Sequence, residues 1–129
     1  MITLNKDLTD KDTFNAATSQ EVFDFVAHHL LTQNETSLLE LGTDSCAYHG
    51  KNGLKCAAGC LIPDNLYLES FEGQTWRYVL KELGFTSHDK LVSSLQDIHD
   101  SRDIDFWFEK LESLAKVHCL STNVLEQFE

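Results

Sequence analysis

The sequence predicts a mainly α protein of the α+β class: a compact helical domain with a small β-hairpin inserted after the first helix. Apolar residues recur at helical spacing in four segments of the chain. One Asn-Gly pair, Asn52-Gly53, separates two short runs that tolerate an extended backbone. The chain has 129 residues, the usual size of one domain. We expect residues 1–17 to form a loosely ordered N-terminal arm and residues 18–129 to form a single globular domain.

The first helix is predicted from about Ser19 to Thr32. Thr18 and Glu21 have the spacing of a capping box, in which each side chain accepts from the other residue's backbone amide. Its apolar residues recur every three or four positions, at Val22, Phe23, Val26, Leu30 and Leu31.

Three later segments have the same helical period. The first begins near Gln74 and ends at Gly84, which is a typical C-cap because glycine adopts positive φ at little cost. The second has Leu91, Leu95 and Ile98 on one face. The third has acidic residues first and Lys116 last, as the helix dipole favours. These segments account for most of the chain between residues 74 and 118.

The stretch YHGKNGLKCAAGC, residues 48–60, is predicted to contain the hairpin. Asn-Gly favours the positive φ angles that a tight hairpin turn requires. The segment CLIPD follows and is predicted to be buried up to Pro63, the single proline.

The chain is acidic, with a formal net charge of −11. Direct nucleic-acid binding is therefore not expected, because such binding needs a basic face. No apolar run is long enough to span a membrane, and the first residues lack the layout of a signal peptide. We expect a cytoplasmic protein whose four cysteines are reduced thiols or metal ligands rather than disulfides.

Zinc is one reading of the central stretch. Its residues include the ligand types of a tetrahedral zinc site, at Cys46, His49, Cys56 and Cys60. Their spacing matches no standard zinc knuckle, and a domain of this size folds without a metal. We therefore expect no cofactor and keep zinc as the alternative, since a close-packed core containing thiols explains the same residues.

A second reading is an anion-binding loop. Residues 45–63 contain two lysines and no acid, and flexible glycines lie beside the lysines. Successive amides in such a loop can hold an anion, although a simple turn explains the Asn-Gly pair unaided. The predicted ligand-binding residues are Tyr48, His49, Lys51, Lys55, Gly59 and, from a facing helix, His99.

Three histidines are predicted to face inward, and they divide into two groups. His29 and His118 lie on apolar helix faces and are expected to be structural. His99 precedes Asp100 at a helix end and is assigned to the site. A dyad of Cys56 or Cys60 with His99 is the enzymatic alternative, but no nucleophile elbow or metalloprotease motif accompanies it. No catalytic residue is predicted.

The stretch CAYHGKNGLKCAAGCLIPD, residues 46–64, resembles a family of small uncharacterised phage and bacterial proteins with the motif C-x-Y-x-G-x-x-G-x-K-C-x-x-G-C-L-I-P-D. Residues 21–33 and the run LQDIHD are similar to the same family, so the resemblance covers roughly residues 18–118. The family has arginine where this chain has His49, which argues against His49 as a zinc ligand. The resemblance implies a phage-derived, host-directed role of the anti-defence type.

The expectation is therefore a non-enzymatic protein that binds a small anionic, nucleotide-like ligand at residues 46–60. One alternative is an acidic protein that inhibits a host protein by binding it. A third is a Cys/His enzyme or a zinc-stabilised module. The sequence does not predict an oligomeric state.

Overall fold

The computed structural model describes residues 6–39 and 46–129, and these residues form a mainly helical protein. The α-helices are α1 (Lys11–Ala16), α2 (Ser19–Gln33), α3 (Trp76–Leu83), α4 (Asp89–Asp100) and α5 (Trp107–Val117). Short 3₁₀ segments lie at Lys51–Gly53, Gly59–Leu61, Glu69–Phe71, Ile104–Phe106 and Asn123–Phe128. The prediction of a mainly α fold is confirmed.

Helix α2 is the centre of the packing. The Thr18–Glu21 capping box is present in both directions, and Asn34 ends the helix in the left-handed conformation. The helix packs against α4, α5 and the C-terminal turn Asn123–Phe128. Its buried face joins the core through Val22, Phe23, Val26, Ala27 and Leu30.

The part of the N-terminal arm from residue 6 onward packs into this core, in contrast to the loose arm expected from the sequence. Leu8 and Phe14 are buried, and the Phe14 ring stacks on Phe85 with centroids 4.4 Å apart. Asn15 donates to the Gly84 carbonyl and accepts from the Thr86 amide. Two isolated apolar residues therefore anchor a segment whose polar composition suggested a loose tail.

The predicted β-hairpin is wrong. Among the described residues, pairing is limited to two isolated bridges, Leu38–Cys46 and His49–Lys55, and no strand forms. The turn itself has the predicted geometry, with φ of 61° at Asn52 and 75° at Gly53. Its arms do not extend into a ladder because the amides of the first arm have other acceptors.

The carboxylate of Glu72 takes two of these amides. It accepts from Tyr48 N at 2.9 Å and from His49 N at 3.2 Å, and the Tyr67 hydroxyl donates to it at 2.6 Å. The preceding amide, Ala47 N, donates to the Ser37 carbonyl. After Cys56 the second arm turns into the 3₁₀ segment at Gly59–Leu61.

No helix in the described parts of the chain has both the length and the apolar character needed to cross a bilayer.

Candidate functional site

Residues 46–60 are held against two helices by glutamine side chains. The Gln33 amide of α2 pairs with the backbone of Lys55, accepting from its N–H at 2.9 Å and donating to its carbonyl at 2.8 Å. The Gln96 side chain of α4 accepts from Ala58 N at 2.9 Å. The segment therefore lies against the helix that carries His99, where the sequence placed it.

Most of the amides that were predicted to form the anion cradle have acceptors inside the protein. Leu54 N donates to the Lys51 carbonyl, and Cys56 N donates to the Tyr48 carbonyl. Gly59 N donates to Cys56 Sγ at 3.2 Å. With the Lys55 and Ala58 amides bound to glutamines, these five amides have internal acceptors and do not face an anion.

Tyr48 and Gly59, both predicted to contact the ligand, are internal. The Tyr48 side chain is buried, and its hydroxyl donates to the Gln74 carbonyl at 2.6 Å. Gly59 packs against the Tyr48 backbone so closely that a Cβ atom would lie 1.9 Å from the Tyr48 oxygen. Gly59 is therefore required for close packing, and the Tyr48 ring is not available to stack on a base.

His49 and Lys51 border one surface cavity of about 500 Å³ that also has Glu69 and Glu72 in its lining. The His49 ring stacks on Tyr67 with centroids 4.3 Å apart, and its Nε2–H donates to the carbonyls of Gly59 and Ile62. Burial lowers the pKa of His49, which favours the neutral ring. The two glutamates make this cavity a poor place for an anion.

Lys55 points to a different cavity, which we call the α2–Lys55 pocket. It has a volume of about 370 Å³ and is lined by Phe25, His28, His29, Thr32, Gln33, Lys55 and Cys60. The α2 residues of this lining follow each other at helical spacing, so they form one stripe along the helix. His29 Nε2–H donates to the Lys55 carbonyl at 2.8 Å, and burial lowers the pKa of His29.

The four predicted zinc ligands do not come together. Cys56 and Cys60 are both buried; Cys56 Sγ accepts from Gly59 N, and the Cys60 thiol donates to the Ala57 carbonyl at 3.1 Å. Burial raises the pKa of both thiols. Among the described residues, the one group of three metal-type donors within 4.8 Å of one another is Cys46, His99 and Asp100.

This Cys46–His99–Asp100 cluster is a hydrogen-bonded group at the end of α4. His99 is fully buried, its Nε2 accepts from the backbone amide of Ser37 at 2.9 Å, and its Nδ1 lies 2.9 Å from an Asp100 oxygen. The proton of the neutral ring is therefore on Nδ1 and is donated to Asp100. Burial, together with the charge of Asp100 and a hydrogen bond to it, raises the pKa of Cys46 to about 11.

This arrangement fits neither a metal nor a nucleophile well. Both ring nitrogens of His99 are in use, so the ring has no lone pair for a zinc ion or for the proton of Cys46. The thiolate, not the thiol, is the nucleophile and the metal ligand, and the surroundings of Cys46 favour the thiol. In the structure, His99 therefore connects Ser37 to Asp100 and has a structural role, although the sequence assigned it to the ligand site.

Sequence reasoning missed Phe25, His28 and Thr32, which share the α2–Lys55 pocket. His28 precedes His29, which lies closer to the apolar face of the helix. The available signal was their spacing, because positions 25, 28 and 32 follow one another down one side of a helix. The spacing alone does not reveal the pocket, because no pattern in the neighbouring sequence shows that Lys55 lies opposite this stripe.

Comparisons with protein-family models, with curated proteins and with solved structures return no match for this chain.

Proposed function

We propose that the protein is a non-enzymatic binding protein that takes a small anionic, nucleotide-like ligand in the α2–Lys55 pocket. One observation carries the proposal. In a chain with a net charge of −11, the described residues that line the pocket include one cation, Lys55, and no acidic side chain. A local basic spot on an acidic protein accepts a small anion while the whole surface repels long nucleic acids.

The other lining residues suit a nucleotide. Phe25 and His28 offer partly exposed rings beside the cavity, and such rings stack on bases. The Thr32 side chain is exposed and supplies a hydroxyl that can donate to a phosphate oxygen. A volume of about 370 Å³ lies in the range of small-molecule sites.

Lys55 is available to a ligand despite its ion pair. Its Nζ lies 3.0 Å from Asp64, whose side chain is 83% exposed. Because the Asp64 side of the pair faces water, solvent and salt screen it, and a ligand phosphate competes with Asp64 for the ammonium.

The proposal includes no catalytic step. The thiols of Cys46, Cys56 and Cys60 all have raised pKa values, and both nitrogens of His99 are hydrogen-bonded. The resemblance to phage proteins adds a setting to the proposal, in which the ligand is a nucleotide signal of the host and the protein sequesters it in the host cytoplasm.

The test uses inorganic phosphate and a set of purine and pyrimidine nucleoside mono-, di- and triphosphates, titrated calorimetrically into the full chain. We expect at least one nucleotide to bind, with an affinity that falls as salt rises. Lys55→Gln should weaken binding at least ~10-fold, because a lost charge-assisted hydrogen bond costs about 1.5–3 kcal/mol.

Lys51→Gln is the matched control, since it removes the same charge from the same segment but from the other cavity. It should leave affinity nearly unchanged. Absence of binding by every nucleotide at millimolar concentration would overturn the proposal, and so would equal losses in the two variants. Circular dichroism of each variant confirms that the fold is intact.

A further inference from the structure

Two neighbouring clefts on the α4 side of the protein share Asp97. The first has a volume of about 310 Å³, and its lining includes Cys46, Glu72, Trp76 and Asp100. The second has a volume of about 440 Å³ and is lined by Ile98, Phe106, Glu109, Lys110 and Ser113 as well as Asp97. We call the two together the Asp97 groove. It shares no lining residue with the α2–Lys55 pocket.

The groove is strongly acidic. Among the residues that the structure describes, its lining has the carboxylates of Glu72, Asp97, Asp100 and Glu109 and one cation, Lys110. The four carboxylates outnumber this one cation, and the Lys110 ammonium also lies 3.3 Å from Asp103, which lines neither cleft. The negative potential of the groove is therefore not neutralised from within its own lining.

Two of the carboxylates have no internal role. Glu72 accepts the amides of Tyr48 and His49, and Asp100 accepts from His99 and from the Gln96 amide. By contrast, the Asp97 and Glu109 carboxylates have no hydrogen bond or ion pair with any described residue. They lie on α4 and α5, one on each side of the second cleft.

An exposed aromatic ring lines the same cleft as these two carboxylates. Phe106 is 53% exposed, and the buried Ile98 lines the same cleft. A large exposed apolar side chain within a charged groove is typical of a protein interface, where an aromatic anchor packs and the surrounding charges select the partner.

We infer that the Asp97 groove binds an extended basic segment of a partner protein, in which lysine or arginine side chains flank an apolar residue. The basic side chains pair with Asp97 and Glu109, and the apolar residue packs on Phe106. Charge complementarity of this kind selects the partner and speeds its association. This surface is a second binding site, and it is independent of the nucleotide proposed for the α2–Lys55 pocket.

The test measures binding of fluorescent peptides to the full chain by anisotropy. The probe is a peptide of four Arg-Leu-Gly repeats, and the controls have four Glu-Leu-Gly or four Arg-Ser-Gly repeats. The first should bind, the acidic peptide should not, and the peptide without leucine should bind at least ~10-fold more weakly. Trp76 lines the groove, so a change in tryptophan fluorescence on binding is also expected.

Variants locate the binding. Asp97→Asn with Glu109→Gln should weaken binding at least ~10-fold, and Phe106→Ser should weaken it similarly. Asp12→Asn with Glu82→Gln is the matched control, because it makes the same charge change at two exposed acids that line neither cleft. Equal losses in the two double variants, or no binding of the Arg-Leu-Gly peptide, would overturn the inference. Lys55→Gln should have no effect, which separates this site from the nucleotide pocket.

Discussion

The backbone amide of Ser37 donates a 2.9 Å hydrogen bond to Nε2 of His99, and both residues are fully buried. The bond ties the chain that follows α2 to the last turn of α4. On the other side of the ring, Nδ1 lies 2.9 Å from Asp100. The imidazole is therefore a neutral connector with both nitrogens satisfied, at the position where the sequence suggested a ligand contact.

Replacing His99 should show this connecting role. His99→Leu leaves the Ser37 N–H without an acceptor in the core, and we expect the free energy of unfolding to fall by about 1–3 kcal/mol. His99→Gln offers an amide oxygen near the position of Nε2 and should cost less. Urea denaturation measures both values. Equal losses would show that packing, not the hydrogen bond, is what His99 contributes.

Stability should decrease as the pH falls below about 6.5, the usual pKa of an unfolded histidine. Burial lowers the pKa of His29 and His49, so the unfolded chain binds more protons than the folded one in this window. The free energy of unfolding therefore decreases as the pH decreases.

Urea denaturation at about pH 7.5 and about pH 5.5 measures this loss. The window avoids more acid conditions, where Asp24, whose pKa is raised by burial, acts in the opposite direction. His29→Gln keeps a donor for the Lys55 carbonyl but cannot titrate, so it should make the pH dependence smaller. Stability that stays constant or rises on acidification would contradict the prediction.

Two glycines of the central segment should respond differently to alanine. At Gly53 a Cβ atom would meet nothing within 4 Å, so Gly53→Ala adds only the strain of positive φ, about 1 kcal/mol. At Gly59 the Cβ atom would lie 1.9 Å from the Tyr48 oxygen, so the backbone must move. Gly59→Ala should therefore lower the melting temperature much further.

Gly73→Ala is the control for this comparison, because Gly73 also has positive φ and open space around its Cβ position. It should match Gly53→Ala. If Gly59→Ala has the same melting temperature as these two variants, the close approach of Gly59 to Tyr48 is not present in solution.

Zinc and a strong chelator should both leave the thermal transition unchanged. Cys56 and Cys60 are buried thiols hydrogen-bonded to the backbone, and the nitrogens of His99 are both occupied. Thermal denaturation followed by circular dichroism, with chelator or with added zinc, measures the effect. A rise of several degrees with zinc that disappears in Cys46→Ser would contradict this and make the Cys46–His99–Asp100 cluster a metal site.

The sequence by itself determined the local structure. The Thr18–Glu21 capping box, the left-handed Gly84 after α3 and the positive φ of Asn52 and Gly53 all occur as predicted. Each depends on residues within a few positions, whose steric and hydrogen-bonding preferences do not need the rest of the chain.

Tertiary structure alone decided which distant groups meet. The hairpin failed because Glu72, 24 residues away, takes the amide of Tyr48, and His99 became structural because Ser37, 62 residues away, donates to it. Lys55 gained a pocket because Gln33 holds its backbone against α2. A backbone donor bonds to the acceptor that packing places beside it. Packing depends on the whole core rather than on any local sequence pattern.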